Sequence, residues 1–570
     1  MIEHRSPISG IAAYGDRYVA TAGYDNIVIL WDAARHVALA RGVHDHLANQ
    51  CEFSPDGRWL ASSSSDYTAR IWSVPTMRLH ALLGDHEDDV EGIAFHPERP
   101  WIATTSRDGS VRVFDLDGRL IHRMRGHEAD VISVAWIGNS SELVTSSDDG
   151  TVRRWDAESG AEIAKIDFAG VETDTIAISG AGTIFAGNDA GELIVISEQN
   201  KETYAAHDAG IKRVIYDKHT NQLVTLSYDR TAKFWDIADG SRLTLRHSTT
   251  LPSIVWPRSC AVLNKDEVVF VTFGTTYATY NHRSASWTLD NIGPTEGINA
   301  GCFRGGKLYT IGDAGTLRVD GAAVAEMGSL CNFLVVMGDR LLTGGQMGKV
   351  LDAETGEVYH QHRSPLNCST SFPLSGGVGV IIGTYTGEGL LFDLDPDGRP
   401  RFLREVILAD NAIKGVAYSD GTLFSVCATG AASFHKVGDW DGATSLFDAH
   451  DKIANGCAAL PSGAFVSVSR DLKLRIWREK SAEIVDTPHR NSIKSCAVSR
   501  SGNYIATADY AGHLGIFDVV QGQYVEFERL TSAGLSSVIA DVSPCGFVGT
   551  SYDGRVYPFD GHSPTRMAAE

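Results

Sequence analysis

A segment of about a dozen residues recurs along this chain, as SSSSDYTARIWS, TTSRDGSVRVFD, TSSDDGTVRRWD and LSYDRTAKFWD, with a period of roughly forty residues. Carried through the chain, the count places an aromatic or apolar slot at Trp31, Trp72, Phe114, Trp155, Ile196, Trp235, Tyr280, Val319, Leu351, Phe392, Phe434, Trp477, Phe517 and Phe559. That is about fourteen units. Each unit carries strand signals: short alternating runs such as VRVFD and LKLRIW, separated by turn clusters such as Ser54-Pro55-Asp56-Gly57 and Asp108-Gly109. No long stretch shows the 3.6-residue apolar period of a helix. Four short strands per unit, repeated radially, make an all-β propeller, whose closure leaves only short, protected strand edges.

The remaining bulk features narrow the function classes. With 570 residues and 43% hydrophobic composition, the chain is expected to divide into more than one domain. Fifty Lys and Arg against 71 Asp and Glu give a formal charge of -21, which disfavours broad nucleic-acid binding. The start, MIEHRSPISG, has no basic region followed by an apolar stretch, and no apolar run is long enough for a spanning helix. A soluble, cytoplasmic protein without membrane contact is the expectation. The nine cysteines contain no CxxC pair. Cys51, Cys457 and Cys496 each follow a histidine (His44, His450, His489) at one fixed spacing, an equivalent strand position at which a small, buried, reduced thiol is expected.

Four units carry a more specific pattern: His44, Ser64, Asp66 and Trp72; His127, Ser147, Asp149 and Trp155; His207, Ser227, Asp229 and Trp235; His450, Ser469, Asp471 and Trp477. With these residues the chain resembles the WD-repeat (WD40) family over nearly its whole length. The resemblance implies that within each blade the Asp accepts from the His, which relays to the Ser and the indole N–H. Such a chain is physically reasonable, since a buried carboxylate and imidazole are tolerable only when paired. Ser, His and Asp at these spacings superficially suggest a hydrolase triad, but an enzyme needs that constellation once, and here it recurs in blade after blade. No catalytic residue is assigned, and a non-enzyme is expected.

Fourteen blades exceed the four to eight of one ring, so two tandem seven-bladed propellers are predicted, over residues 1–290 and 291–570, with the boundary within 285–296. His4 sits in the loop position at the start. At the end, either the tail HSPTRMAAE supplies the last outer strand or the first residues close a blade, so strand exchange is open. Residues 245–436 lose most Asp and Trp signals, and the short Val319 to Leu351 spacing suggests a trimmed blade. Glycines replace them, as in Gly312-Asp313-Ala314-Gly315 and Gly344-Gly345.

Two other motifs are read as structural. Gly376-Gly377-Val378-Gly379 with Gly383 resembles a phosphate loop, but no helix follows and the spacing fits neither GxGxxG nor a P-loop. His44-Asp45-His46 and His360-Gln361-His362 could each present two imidazoles on one strand face, yet His44 belongs to a blade network and no third ligand is nearby. No metal and no cofactor is expected.

The position between the Ser and Asp slots resembles the top-surface site of the family. It reads Tyr24, Ser65, Arg107, Asp148, Asp189 and Tyr228 in the first half, and Tyr385, Arg470, Tyr510 and Tyr552 in the second. Tyrosine and arginine are the residue types of interface hot spots. The expected partners of Tyr24, Arg107, Tyr228, Tyr385, Arg470, Tyr510 and Tyr552 are therefore proteins or peptides. The leading functional expectation is a non-catalytic scaffold or recognition subunit. The alternative is an accessory subunit of an RNA-modifying or other nucleic-acid-processing complex, for which Arg153-Arg154 and the run Arg399 to Arg404 are the modest basic candidates.

Overall fold

A computed structural model describes residues 2–197, 200–374, 377–446 and 449–560. These residues form fourteen antiparallel sheets, thirteen of four strands and one of three, each built from strands consecutive in sequence. We number these blades 1–14 in chain order. Among the described residues there is no helix, and no strand is exchanged between blades. The tail that was a candidate for the last outer strand lies outside the described residues.

Ring closure follows from the order in which first strands touch. In the first unit, Ile8–Tyr14, Ala48–Phe53, Val90–Phe95, Val131–Trp136, Thr175–Ile178, Ile211–Asp217 and Val255–Val262 each adjoin the next, and the last returns to the first. In the second unit the series runs from Ile298–Arg304 to Leu535–Ala540 and closes the same way. First strands therefore line each axis, while fourth strands such as Val37–Val43 alternate exposed and covered residues at the rim. The apolar core lies between adjacent blades. Trp72, for example, packs with Ala12, Leu30 and Phe53, and Trp155 with Val113 and Met124.

The chain divides at Thr295 and Glu296, later than residue 290, because the segment after blade 7 folds back on that blade. Thr275 N–H donates to Gly293 O at 2.9 Å, and Thr295 Oγ1 donates to Phe273 O at 3.1 Å. The short Val319 to Leu351 spacing does not reflect a lost strand. Blades 8 and 9 keep four strands each, with third strands trimmed to Thr316–Val319 and Lys349–Asp352. The glycine segment that superficially resembles a phosphate loop is largely strand: Gly377, Val378, Gly379 and Gly383 lie in Gly377–Thr384, the second strand of blade 10, and Gly376 lies outside the described residues.

The blade networks are present, with one correction. In blade 4, Trp155 Nε1–H donates to Thr145 Oγ1 at 2.8 Å, the Thr145 hydroxyl lies 2.8 Å from His127 Nε2, and His127 Nδ1 lies 2.9 Å from Asp149 Oδ2. The relay is therefore Thr145 and not Ser147. Likewise it is Ser62, Thr225 and Ser467, not Ser64, Ser227 and Ser469. Successive side chains of a strand alternate faces, so Ser62 and Ser64 share one face and spacing alone could not separate them. Ser64, Ser147, Ser227 and Ser469 do different work: each accepts from the N–H of the turn Asp two residues on. His4, His86 and His489 make the same His–Asp pair with Asp25, Asp108 and Asp509.

Burial holds His44, His86, His127 and His450 below the ordinary imidazole range, even with the carboxylate partner pulling the other way. Their Asp partners stay ionised: against the upward push of burial, the bond from the imidazole holds Asp66, Asp108, Asp149 and Asp471 well below the usual carboxylate range. A neutral imidazole donating through Nδ1 and accepting at Nε2 satisfies the whole chain.

Candidate functional site: the ring of turn residues in each propeller

One backbone contact recurs in all fourteen blades and defines the site. The residue just past the second strand donates its N–H to a carbonyl of the segment leading into the first strand of the same blade. In the first unit the donors are Tyr24, Ser65, Arg107, Asp148, Asp189, Tyr228 and Phe273. In the second they are Asp313, Gln346, Tyr385, Ala428, Arg470, Tyr510 and Tyr552, and all these bonds measure 2.8–3.2 Å. The bond pins each residue at an equivalent place around its ring. Every sequence-predicted position is in this set. Phe273, Asp313, Gln346 and Ala428 were not identified from sequence.

In the first unit these residues belong to a continuous network of charge and aromatic rings. Arg107 Nε donates to Glu91 Oε1 at 2.7 Å, its Nη1 bonds Asp130, and Asp89 Oδ2 lies 4.0 Å from Nε. Ser65 Oγ donates to Asp89 at 3.0 Å. Lys212 bridges Asp174 and Asp189, with its ammonium 5.0 Å from the Tyr228 ring centre. Arg258 lies 3.8 Å from Glu91 and 5.4 Å from the Trp256 ring centre, and Tyr24 meets Trp256 edge-on at 5.4 Å. Trp256 in turn stacks on Phe273. The tyrosines are half-buried against neighbours and do not stand as exposed turn tips.

Carboxylates outnumber cations in this ring. Lys212 is spoken for: burial works against its charge, but Asp174 and Asp189 raise its pKa well above the ordinary value. Asp148 is different. Its Oδ1 is buried without a hydrogen-bond partner. Burial, with Asp174 and Asp130 nearby, pushes its carboxyl well above the usual range. Burial also lifts Asp130 to about 6, in spite of Arg107.

The second unit gathers lysines and tyrosines at several of these positions. Lys414 lies 4.8 Å from the Tyr385 ring centre, Lys494 lies 5.8 Å from that of Tyr510, and Tyr510 stacks on Tyr552 with their planes 7° apart. Asp313 is buried and accepts from Asn299 at 2.9 Å. Part of this charge pattern was within reach of sequence: Glu91, Lys212 and Lys494 each stand at one fixed spacing after the loop histidines His86, His207 and His489.

The basic candidates for nucleic acid are each matched to a carboxylate. Arg153 pairs with Glu162, Arg154 with Glu142, Arg399 with Glu357, Arg401 with Asp393 and Arg404 with Asp441.

Two seven-bladed rings, each with a ring of turn residues at its axis, define a tandem β-propeller. Within that class the first unit carries WD repeats. Residues 42–73, 77–115, 118–156 and 198–236 match the family model of the WD domain, G-beta repeat. Relatives include the target of rapamycin complex subunit wat1 of Schizosaccharomyces pombe, 27% identical, with the match covering 39% of this chain and 75% of that protein. The transcriptional corepressor LEUNIG_HOMOLOG of Arabidopsis thaliana is 24% identical over 39% of this chain and 34% of its own length. Protein tipD of Dictyostelium discoideum is 27% identical over 38% of this chain and 30% of its own length. The chain thus spans about a third of the latter two. No helix among the described residues is long and apolar enough to cross a membrane.

Proposed function

We propose that this protein is a non-catalytic scaffold, and that the turn-residue ring of its first propeller grips a lysine or arginine side chain of a protein partner. The observation that carries this reading is Asp148. A half-buried carboxyl with one covered, unbonded oxygen among other carboxylates gains most from a cation brought in by a ligand, because the low local dielectric strengthens the pair. Arg107 lies near it, and Tyr24 and Tyr228 stand at other positions of the same ring, the aromatic and guanidinium types typical of hot spots. Relatives named as a complex subunit and a corepressor support a scaffold role.

In the second propeller, Tyr385, Arg470, Tyr510 and Tyr552 with Lys414 and Lys494 suit the opposite kind of group, a carboxylate or an aromatic ring. The nucleic-acid alternative is weakened by the pairing of Arg153, Arg154, Arg399, Arg401 and Arg404 with carboxylates, which leaves no uncompensated stripe for a phosphate backbone.

The test is fluorescence anisotropy of the full chain with a labelled arginine- and lysine-rich peptide and an acidic control. Asp148→Asn is expected to weaken the basic peptide tenfold or more while melting no earlier than wild type. Equal affinity in wild type and Asp148→Asn, or equal binding of the acidic control, would rule the assignment out. A lysate pull-down comparing the triple alanine variant at Tyr24, Arg107 and Tyr228 with that at Arg470, Tyr510 and Tyr552 then identifies the ring that holds each partner.

A further inference from the structure

Blade 10 has lost the network that the well-kept blades share, and what remains is one imidazole facing two carboxylates. His362 sits where the loop histidines sit: its N–H donates to Gly348 O at 2.8 Å, as His44 donates to Asn26, His207 to Gly191 and His450 to Gly430. Its usual partners are missing. Counting from the ring residue Tyr385, the relay hydroxyl is replaced by Ile382 and the turn Asp by Thr386. Nε2 of His362 is consequently buried with no hydrogen-bond partner, in a residue only 4% exposed.

Two carboxylates stand in front of that nitrogen. Glu388 is the fifth residue of the stretch after Gly383 and lies at the start of the third strand, Glu388–Leu394. Glu405 projects from the fourth strand, Pro400–Ile407. Glu405 Oε1 lies 3.6 Å from Nε2, and one ligand atom from each of His362, Glu388 and Glu405 falls within 4.8 Å of the others. Glu388 is 4% exposed and oriented in advance: Thr384 Oγ1 donates to Oε2 at 2.6 Å, Thr386 donates to the same oxygen, and the half-exposed Arg363 holds Oε1 at 2.5 Å. His362 Nδ1 lies 3.1 Å from the N–H and 3.3 Å from the carbonyl of Ser364. The Ser364 N–H donates to Nδ1 in one tautomer; in the other, Nδ1–H donates to that carbonyl and Nε2 presents its lone pair to the carboxylates, the arrangement that orients metal-bound imidazoles.

We propose that His362, Glu388 and Glu405 bind a divalent transition-metal ion of the zinc type. One imidazole and two carboxylates suit zinc rather than magnesium or calcium, which prefer all-oxygen shells. Metal–ligand bonds of about 2.0–2.1 Å in a tetrahedral shell put ligand atoms roughly 3.3 Å apart, so the cluster needs to close by an ångström or so, and water fills the fourth place. From the sequence no third ligand stood near His360 and His362, and no metal was expected there. His360 stacks on Phe402 at 4.0 Å and takes no part, and the further ligands come from strands remote in sequence.

The experiment is titration of Zn2+ into the EDTA-treated, dialysed full chain by calorimetry, with melting followed in parallel, for wild type, His362→Gln and Glu405→Gln. Glu405 is exposed, so Glu405→Gln should melt like wild type without metal. The expected result is one more bound equivalent in wild type than in either variant, and a Zn2+-induced rise in melting temperature that both variants lose. The same stoichiometry in wild type and Glu405→Gln, or no binding by wild type, overturns the proposal.

Discussion

The assignment of the relay hydroxyl has a measurable consequence in blade 4. Thr145 is fully buried, and its Oγ1 is 2.8 Å from both His127 Nε2 and Trp155 Nε1. Thr145→Val keeps the shape of the side chain and leaves both nitrogens without a partner. At about 1–3 kcal/mol for each buried unsatisfied group, the loss is about 2–6 kcal/mol. Blade 3 supplies an internal control. Phe114 stands in the tryptophan slot there, and Thr104 serves only His86, at 2.9 Å. Thr104→Val therefore orphans one nitrogen and should cost about 1–3 kcal/mol. Ser147→Ala removes the 3.1 Å bond from the Asp149 N–H and a long 3.4 Å bond to Ala129 O, worth about 0.5–1.5 kcal/mol. Two propellers need not unfold together, so the assay is scanning calorimetry, with the transition of the first unit identified by hydrogen exchange in residues 131–167. The expected order of damage is Thr145→Val, then Thr104→Val, then Ser147→Ala. If Ser147→Ala lowers the midpoint as much as Thr145→Val, or if the two valine variants are equal, the relay described above is wrong.

Stability should also fall on mild acidification. His44, His86, His127 and His450 are held below the free value of 6.5 by burial, so the unfolded chain takes up these protons first; stability is complete above pH 6.5 and declines beneath it, with the depressed Asp66, Asp108, Asp149 and Asp471 adding a further loss below about pH 4. Melting curves from pH 7.5 to 5 check this, and a flat profile would contradict it. Burial pushes the thiols of Cys331, Cys368 and Cys496 up to about 12, so iodoacetamide at pH 8 should leave them unmodified in the native chain and modify them in denaturant, as read by peptide mass spectrometry. Gly315 has φ of +71°, and a Cβ there would come within 2.2 Å of Ser329 O; Gly315→Ala should lower the melting point of the second unit by the equivalent of about 1–2 kcal/mol for the left-handed backbone alone, more with the clash, and an unchanged midpoint would show that the turn relaxes freely. Binding of the basic peptide should weaken as pH falls through the region near 6 where Asp130 protonates, since a neutral carboxyl no longer attracts a cation.

Much of the architecture was legible because a propeller repeats its local chemistry. The aromatic or apolar slot fell in a third strand in every blade, Val319 and Leu351 included, even where Trp and Asp were gone. Apolar periodicity survives drift because each blade must still bury two faces against its neighbours. What could not be read was direction within a face. Ser62 and Ser64 point the same way from one strand, and only the position of the His44 and Trp72 rings separates the relay from the turn cap. Nor could the site be completed from sequence, because Phe273, Asp313, Gln346 and Ala428 are held in place by a backbone bond that leaves no side-chain signature.

That backbone bond explains how two rings of one design carry different chemistry. The N–H of the turn residue is fixed to the loop before the first strand whatever its side chain is, so Asp148, Tyr228 and Arg470 occupy equivalent places with no cost to the blade. The blade network, lying behind this residue, absorbs the demand for rigidity through His, Asp and a hydroxyl. Separation of the two tasks permits the first ring to gather Glu91, Asp130, Asp148 and Asp174 around few cations, a concentration of charge that would destabilise a small fold, while the second gathers Lys414, Lys494 and paired tyrosines. In blade 10 the reverse has occurred. The ring residue Tyr385 is kept while the network behind it has been lost, and the nitrogen of His362 left over from that loss is the one that faces Glu388 and Glu405. Sites for partners are therefore expected at the ring positions, and sites for small ions where a blade network has come apart.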